Sequence, residues 1–223
     1  MTQDQFKCSG CSTKIMDFSI NYQGRKILNN LNFEIHYGEF VALVGPNGAG
    51  KTSFFRALLG EIPFSGQIKF VCSKSHKPKV PKIGYVPQNV EIDKGSPVTV
   101  SDFFDLIGNS KASTQFLLNL VEASHLFHRR LGELSRGELQ RIFLAFSLTP
   151  TPDILLFDEP VSGVDAKGTD LFFQLARKLS HEFDISIILV SHDLKMVKQY
   201  SDRVIQLQEG IISEGRPEEV LHV

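Results

Sequence analysis

The sequence predicts an α/β fold with a parallel-sheet core, an antiparallel flank ahead of it and a helical lobe inserted into it. Three observations predict it. A glycine-rich turn, Gly45 to Thr52, lies between an apolar run, Phe40 to Val44, and a run of helical character, Ser53 to Leu59. Two unbroken apolar strands, Ile154 to Phe157 and Ile185 to Val190, are separated by a helical pattern from about Lys167 to His181. Continuous apolar strands joined through a helix read as central parallel strands covered on both faces. Between them, Thr99 to Leu148 carries helical periodicity in three successive apolar groups.

In chain order, Lys14 to Tyr22 and Leu31 to His36 read as strands. Leu31, Phe33 and Ile35 alternate with Asn32, Glu34 and His36, so one face is buried and one is wet. Turns around Gly24 and Gly38 suit an antiparallel sheet leading into the glycine-rich turn. Gln67 to Cys72 and Lys82 to Tyr85 continue the β-rich region, and Lys74 to Lys82, broken by Pro78 and Pro81, reads as a solvated loop. The helical lobe is carried by Val100, Phe103, Phe104 and Ile107, then Phe116, Leu117, Leu120 and Val121, then Leu139, Ile142, Phe143 and Phe146. Pro150 and Pro152 stop it. Glu209-Gly210 turns a last hairpin. The expected organisation is one domain over 1–223, with the core and its β flank in 1–88 and 151–223 and the lobe in 89–150.

Composition bounds the function. At 223 residues and 25.0 kDa the chain can bury a sizeable core. It has 24 Lys plus Arg against 25 Asp plus Glu, so no global charge excess points to nucleic acid or a lipid surface. Three cysteines and an N-terminus without signal character point to a reducing, cytoplasmic compartment. No apolar run approaches the roughly 20 residues that span a bilayer, so a membrane role needs a partner.

The segment Gly45-Pro46-Asn47-Gly48-Ala49-Gly50-Lys51-Thr52, followed by Ser53, has the strand–turn–helix context of a P-loop. Gly45, Gly48 and Gly50 let backbone N–H groups approach a phosphate chain, and the helix that starts here aims its positive dipole end at the same anion. Lys51 supplies a mobile charge for the β- and γ-phosphates, and the Thr52 hydroxyl is placed to ligate Mg²⁺. The site is one for a nucleoside triphosphate. The second landmark is Ile154 to Glu159. A buried strand ending in Asp158-Glu159 delivers two carboxylates to the edge of the sheet where the P-loop opens. Asp158 suits Mg²⁺, and Glu159 suits a general base acting on water.

With these residues in view, the whole chain resembles an ATPase subunit of an ABC transporter, built on a P-loop NTPase core. Tyr85-Val86-Pro87-Gln88 resembles that family's Q-loop, and Leu134 to Arg141 its signature motif. Ser162-Gly163-Val164-Asp165 resembles the D-loop, and Leu189 to Asp193 the switch-histidine loop. The resemblance implies that Gln88 reaches Mg²⁺ or the attacking water, that His192 bonds the γ-phosphate, and that Tyr22 stacks on adenine. It implies that Ser135, Gly137, Glu138 and Asp165 act on the nucleotide held by a second copy. The signature departs from the usual Leu-Ser-Gly-Gly-Gln: Arg136 stands for the first glycine and Glu138 for the glutamine. Ser135-x-x-Glu138 also reads as a capping box, so the helix start survives. Arg136 could add a cation near phosphate, and Glu138 could alter contacts to the ribose.

The resemblance also implies a head-to-tail homodimer closing on two ATP, with ATP and Mg²⁺ as cofactors. Polytopic permease subunits and an extracytoplasmic solute-binding protein are the implied partners, and no nucleic acid is expected. The chain would then sit on the cytoplasmic face of the membrane through the permease. Phe103 and Phe104 lie where such a partner docks, and they equally suit the core of the lobe. The stretches Lys82 to Gln88 and Ser96 to Val100 are similar to ATPases of zinc, manganese and iron importers. Transport of a non-metal substrate, or a soluble ATPase of the same family acting on ribosomes or DNA, is the alternative. The soluble kind usually pairs two such domains in one chain or carries a long coiled-coil insertion. A P-loop kinase or GTPase leaves the signature and His192 segments unexplained. Cys8-x-x-Cys11 is half of a zinc-type site that Cys72 and His76 could complete if the fold joined them; free thiols are the favoured reading.

Overall fold

The computed structural model describes residues 11–72, 75–88 and 90–221, with the backbone alone for Cys11, Cys72 and 75–79. Two sheets organise it. The first is antiparallel, in the order β2-β1-β4-β5, from β1 (Cys11–Tyr22), β2 (Arg25–His36), β4 (Ser65–Cys72) and β5 (Ser75–Lys79). The second runs β10-β9-β3-β8-β7-β6, from β3 (Phe40–Val44), β6 (Ile83–Val86), β7 (Ile154–Asp158), β8 (Ser186–Val190), β9 (Arg203–Gln208) and β10 (Gly210–Gly215). Within it β9, β3, β8, β7 and β6 are parallel neighbours and β10 returns antiparallel.

Every residue of β3, β7 and β8 is buried, which is why their sequences are continuously apolar rather than alternating. β2 carries the alternation instead: Leu31, Phe33 and Ile35 are buried, and Asn32 and His36 are exposed. One hydrophobic cluster, including Phe18, Phe33, Phe54 and Leu156, fills the space between the two sheets around α1 (Lys51–Leu58). Another packs the opposite face of the parallel sheet against α5 (Ala166–Phe183) and the helical lobe.

The lobe consists of α2 (Val100–Asp105), α3 (Lys111–Leu120) and α4 (Arg136–Ser147), each started by a hydroxyl cap: Thr99, Ser110 and Ser135. After α5, α6 (Leu194–Tyr200) and α7 (Pro217–Val220) complete the chain. Asp202 links the layers: its carboxylate accepts from the Phe40 amide at 2.8 Å and from Arg177 Nη1 of α5 at 2.7 Å.

Two sequence expectations change, and one open alternative is narrowed. Residues 75–79, expected in a loop, form an edge strand beside β4, a position where a proline leaves no ladder bond unmade. Ile83–Val86 belongs to the parallel sheet next to β7 rather than to the flank. Phe104 is fully buried, and Phe103 stacks on Phe146 with centroids 4.4 Å apart. Phe104 is therefore lobe core and Phe103, half-buried, packs against it, while the exposed apolar side chains at this helix end are Leu106 and Ile107. No helix among the described residues is long and apolar enough to cross a membrane.

Candidate nucleotide site

The glycine-rich turn leaves β3 at Val44 and enters α1 at Lys51. Gly50 caps the helix in the left-handed region (φ 95°), and a Cβ there would lie 2.6 Å from Leu28 Cδ2. Only glycine satisfies both conditions. Lys51 is 6% exposed, and its Nζ donates to the Gly45 carbonyl at 2.7 Å and to the Pro46 carbonyl at 3.0 Å. Burial pushes its pKa down, while the Glu159 and Asp158 carboxylates oppose that shift. A cavity of about 1070 Å³ opens over the turn, lined by Tyr22, Asn47, Gly48, Ala49, Gly50, Lys51, Thr52, Ser53, Glu159 and His192. Gly45 and Pro46 are not in that lining; they hold the lysine.

At the end of β7 the two carboxylates diverge. Asp158 is 8% exposed, and burial, reinforced by the neighbouring Glu159 charge, raises its pKa against the pull of Tyr85 and Lys51. Glu159 takes a left-handed backbone (φ 46°) pinned by its amide's 2.9 Å bond to the Val190 carbonyl of β8. This turn lifts its carboxylate away from the strand and between two partners. Gln88 Nε2 donates to Oε2 at 2.9 Å, and His192 Nε2 lies 3.0 Å from Oε1. Three loops far apart in sequence thus converge on one carboxylate.

The residues expected to face a second copy lie elsewhere. Ser135, Arg136, Gly137, Glu138 and Asp165 line a separate cavity of about 510 Å³ between the start of α4 and the start of α5. Ser135 caps α4: its hydroxyl accepts from the Glu138 amide at 3.3 Å, and the Glu138 carboxylate accepts from the Ser135 hydroxyl and amide, each at 2.8 Å. Burial works against the Glu138 charge. The Ser135 hydrogen bonds, with Arg129 and Arg141 nearby, overcome it and hold the carboxyl below its ordinary value. Asp165 caps α5, accepting from the Gly168 amide at 2.7 Å.

Tyr85 was missed by sequence reasoning. Its hydroxyl donates to Asp158 Oδ2 at 3.4 Å, and burial, with the Asp158 charge, pushes its pKa up to about 12. The available signal was its place on β6, three residues before Gln88. Arg25, Lys26 and Glu209 also line the nucleotide cavity; they arrive through the β1–β2 hairpin and the β9–β10 turn, and nothing local marks them.

The donors fit the groups expected here. The Thr52 hydroxyl, the Asp158 carboxylate and the Gln88 amide oxygen are hard oxygen ligands suited to Mg²⁺. For zinc, β1 and β4 pair Cys11 with Cys72 in backbone register. Cys8 lies outside the described residues, as do the side chains of Cys11, Cys72 and His76. Among the described residues no three His, Cys, Asp or Glu side chains gather as a metal site.

Known proteins resemble the chain over most of its length. The family described as ABC transporter matches residues 28–162. A zinc import ATP-binding protein ZnuC of Vibrio vulnificus is 37% identical over 91% of this chain and 76% of its own length. A ZnuC 1 of Hahella chejuensis is 39% identical over 93% and 78%. Among solved structures, cbiO1 of Clostridium perfringens, part of the transporter complex cbiONQ, superposes with a TM-score of 0.78 at 26% identity, covering 93% of this chain and 89% of that one. An ATP-binding cassette in its ADP conformation gives 0.78 at 21% identity, over 95% of this chain and 93% of its own, a likeness of fold. With a matching family profile over more than half its length and relatives above one-third identity across nearly all of it, the chain belongs to the ABC transporter family.

Proposed function

We propose that this chain is the ATP-hydrolysing subunit of an importer for a divalent metal ion, working as a head-to-tail homodimer beneath a polytopic permease. The observation that carries the catalytic reading is the Glu159 carboxylate, held by Gln88 and His192 at the rim of the P-loop cavity.

The backbone amides of Asn47 to Thr52 would bind the phosphate chain, and Lys51 would exchange its carbonyl partners for phosphate oxygens. Tyr22, 45% exposed at the cavity wall, would stack on adenine. Thr52, Asp158 and Gln88 would hold Mg²⁺, which when bound neutralises phosphate charge. Glu159 would take the proton of the attacking water at a carboxylate oxygen, and His192 would release Glu159 to bond the γ-phosphate. Ser135, Gly137, Glu138 and Asp165 stand in their own cavity and would close over the partner copy's nucleotide. Binding would favour the closed dimer and hydrolysis would reopen it.

The cargo reading rests on relatives named as zinc import proteins. The implied place is the cytoplasmic face of the membrane, held by the permease, with a solute-binding protein outside. Co-expression with the permease, reconstitution in vesicles and measurement of ATP-dependent zinc uptake test it. Uptake that needs ATP and stops with Glu159→Gln is expected; ATP hydrolysis with no zinc, manganese or iron movement would reject the metal reading.

A further inference from the structure

We infer that Arg136 is a positioning residue: it clamps the start of α4 to the 162–165 loop, so that both lid segments reach the partner's nucleotide as one unit. The inference rests on the dimer reading above.

Arg136 opens α4, and its Nη1 donates to the Ser162 carbonyl at 3.4 Å. That bond is long, so it does not by itself fix the guanidinium. The guanidinium also lies against the loop itself. A Cβ on Gly163 would collide with Arg136 Nη1 and lie 3.1 Å from Cζ. The guanidinium fills the space a side chain at 163 would occupy, and Gly163, at φ 73°, is a position L residues seldom adopt. Gly137 also lies close to the loop: a Cβ built on it would be in van der Waals range of Val164 Cγ1, at 3.5 Å.

The 162–165 loop leads directly into the Asp165 cap of α5, so a guanidinium lodged over Gly163 sets the spacing between the starts of α4 and α5. Those two starts frame the lid cavity. Among the described residues Arg136 makes no ion pair, and its side-chain hydrogen bond goes to this loop. The substitution of arginine for a glycine in the signature segment therefore has a structural correlate: one glycine of the loop leaves room for it. A flexible glycine loop held by a planar five-donor group loses less entropy on dimer closure than a free one.

The test uses the full chain in the Glu159→Gln background, where the closed dimer should persist. Dimerisation is followed by light scattering against MgATP concentration, and binding to the single protomer by fluorescent ATP analogue at low protein concentration. Arg136→Ala should raise the ATP concentration for half-dimerisation about tenfold while leaving single-protomer affinity unchanged. Arg136→Met, which keeps the stem but not the guanidinium lying over Gly163, should behave the same way. Gly163→Ala, which expels the guanidinium, should give a similar loss, and the double variant should be no worse than either single one. Amide exchange in 162–165 should quicken in Arg136→Ala; this measurement stands even where Gly163→Ala folds poorly. Additive losses would mean that Arg136 acts apart from the loop, on the partner's phosphate, and would overturn the clamp. So would unchanged dimerisation or unchanged exchange. If the Glu159→Gln parent itself stays monomeric in MgATP, the dimer reading fails, and the clamp fails with it.

Discussion

The P-loop cavity and the lid cavity are built by different means. The first sits at the ends of β3, β7 and β8, strands buried along their whole length, and its key groups are fixed by burial and by bonds to neighbouring strands. The second sits between two helix starts, where Ser135 and Asp165 hold the backbone through exposed caps and Arg136 lies over Gly163. The difference teaches where rigidity is located. The cavity proposed to do the chemistry is anchored in the core, whereas the one proposed to meet a partner copy is anchored by a few surface contacts.

The sharpest way to break this contrast is at the carboxylate. Glu159→Gln should lower kcat by about 10²- to 10⁴-fold while equilibrium nucleotide binding stays intact; unaltered turnover would remove Glu159 as base. Lys51→Ala comes next. Losing a charged donor to phosphate should weaken ATP binding about 10- to 100-fold, read by titration, and unchanged affinity would count against the P-loop assignment.

On the lid side the effects should be smaller. Ser135→Ala removes the two hydroxyl bonds of the α4 cap and leaves the Ser135 amide bonded to the Glu138 carboxylate; it should cost about 1 kcal/mol of stability, seen as a lower melting temperature, with single-protomer nucleotide binding preserved. A simultaneous loss of that binding would mean that the two half-sites are not separate.

The smallest effect sharpens the core side through pH. The Asp202 carboxyl is disfavoured by burial, but the Arg177 hydrogen bonds and the Phe40 amide outweigh this and hold its pKa below the ordinary value. A depressed carboxylate stabilises the fold above its unfolded pKa, and that contribution is lost as pH falls through the folded value. The stability gap between wild type and Asp202→Asn should therefore be constant near neutrality and shrink below about pH 3.9. A gap that persists at lower pH would show that the loss comes from packing rather than charge.

Much of this was legible locally. Continuous apolar runs marked β3, β7 and β8, because strands buried on both faces admit no polar alternate. The P-loop announced itself through glycine spacing and a following helix, and the Asp158-Glu159 pair through its place after a buried strand. Less was legible where neighbours decide. β5 was hidden by Pro78, since an edge strand obeys looser rules than a central one. Phe103 and Phe104 could not be divided between docking and core until Phe146 was seen against them. Tyr85 carried only its place before Gln88 as a signal until β6 was set beside β7.

By itself, the sequence determined which segments form the core and which residue types can bind phosphate, because hydrophobic period and glycine spacing act over a few residues. Tertiary structure alone decided that Gln88 and His192 meet on Glu159, that Lys51 rests on the carbonyls of its own loop, and that Arg136 lies in the space Gly163 leaves. The first depends on strand order and on a left-handed turn at Glu159, and the last on the approach of the 162–165 loop to α4, both contacts between segments tens of residues apart; the lysine bonds need the turn to close on itself within six residues.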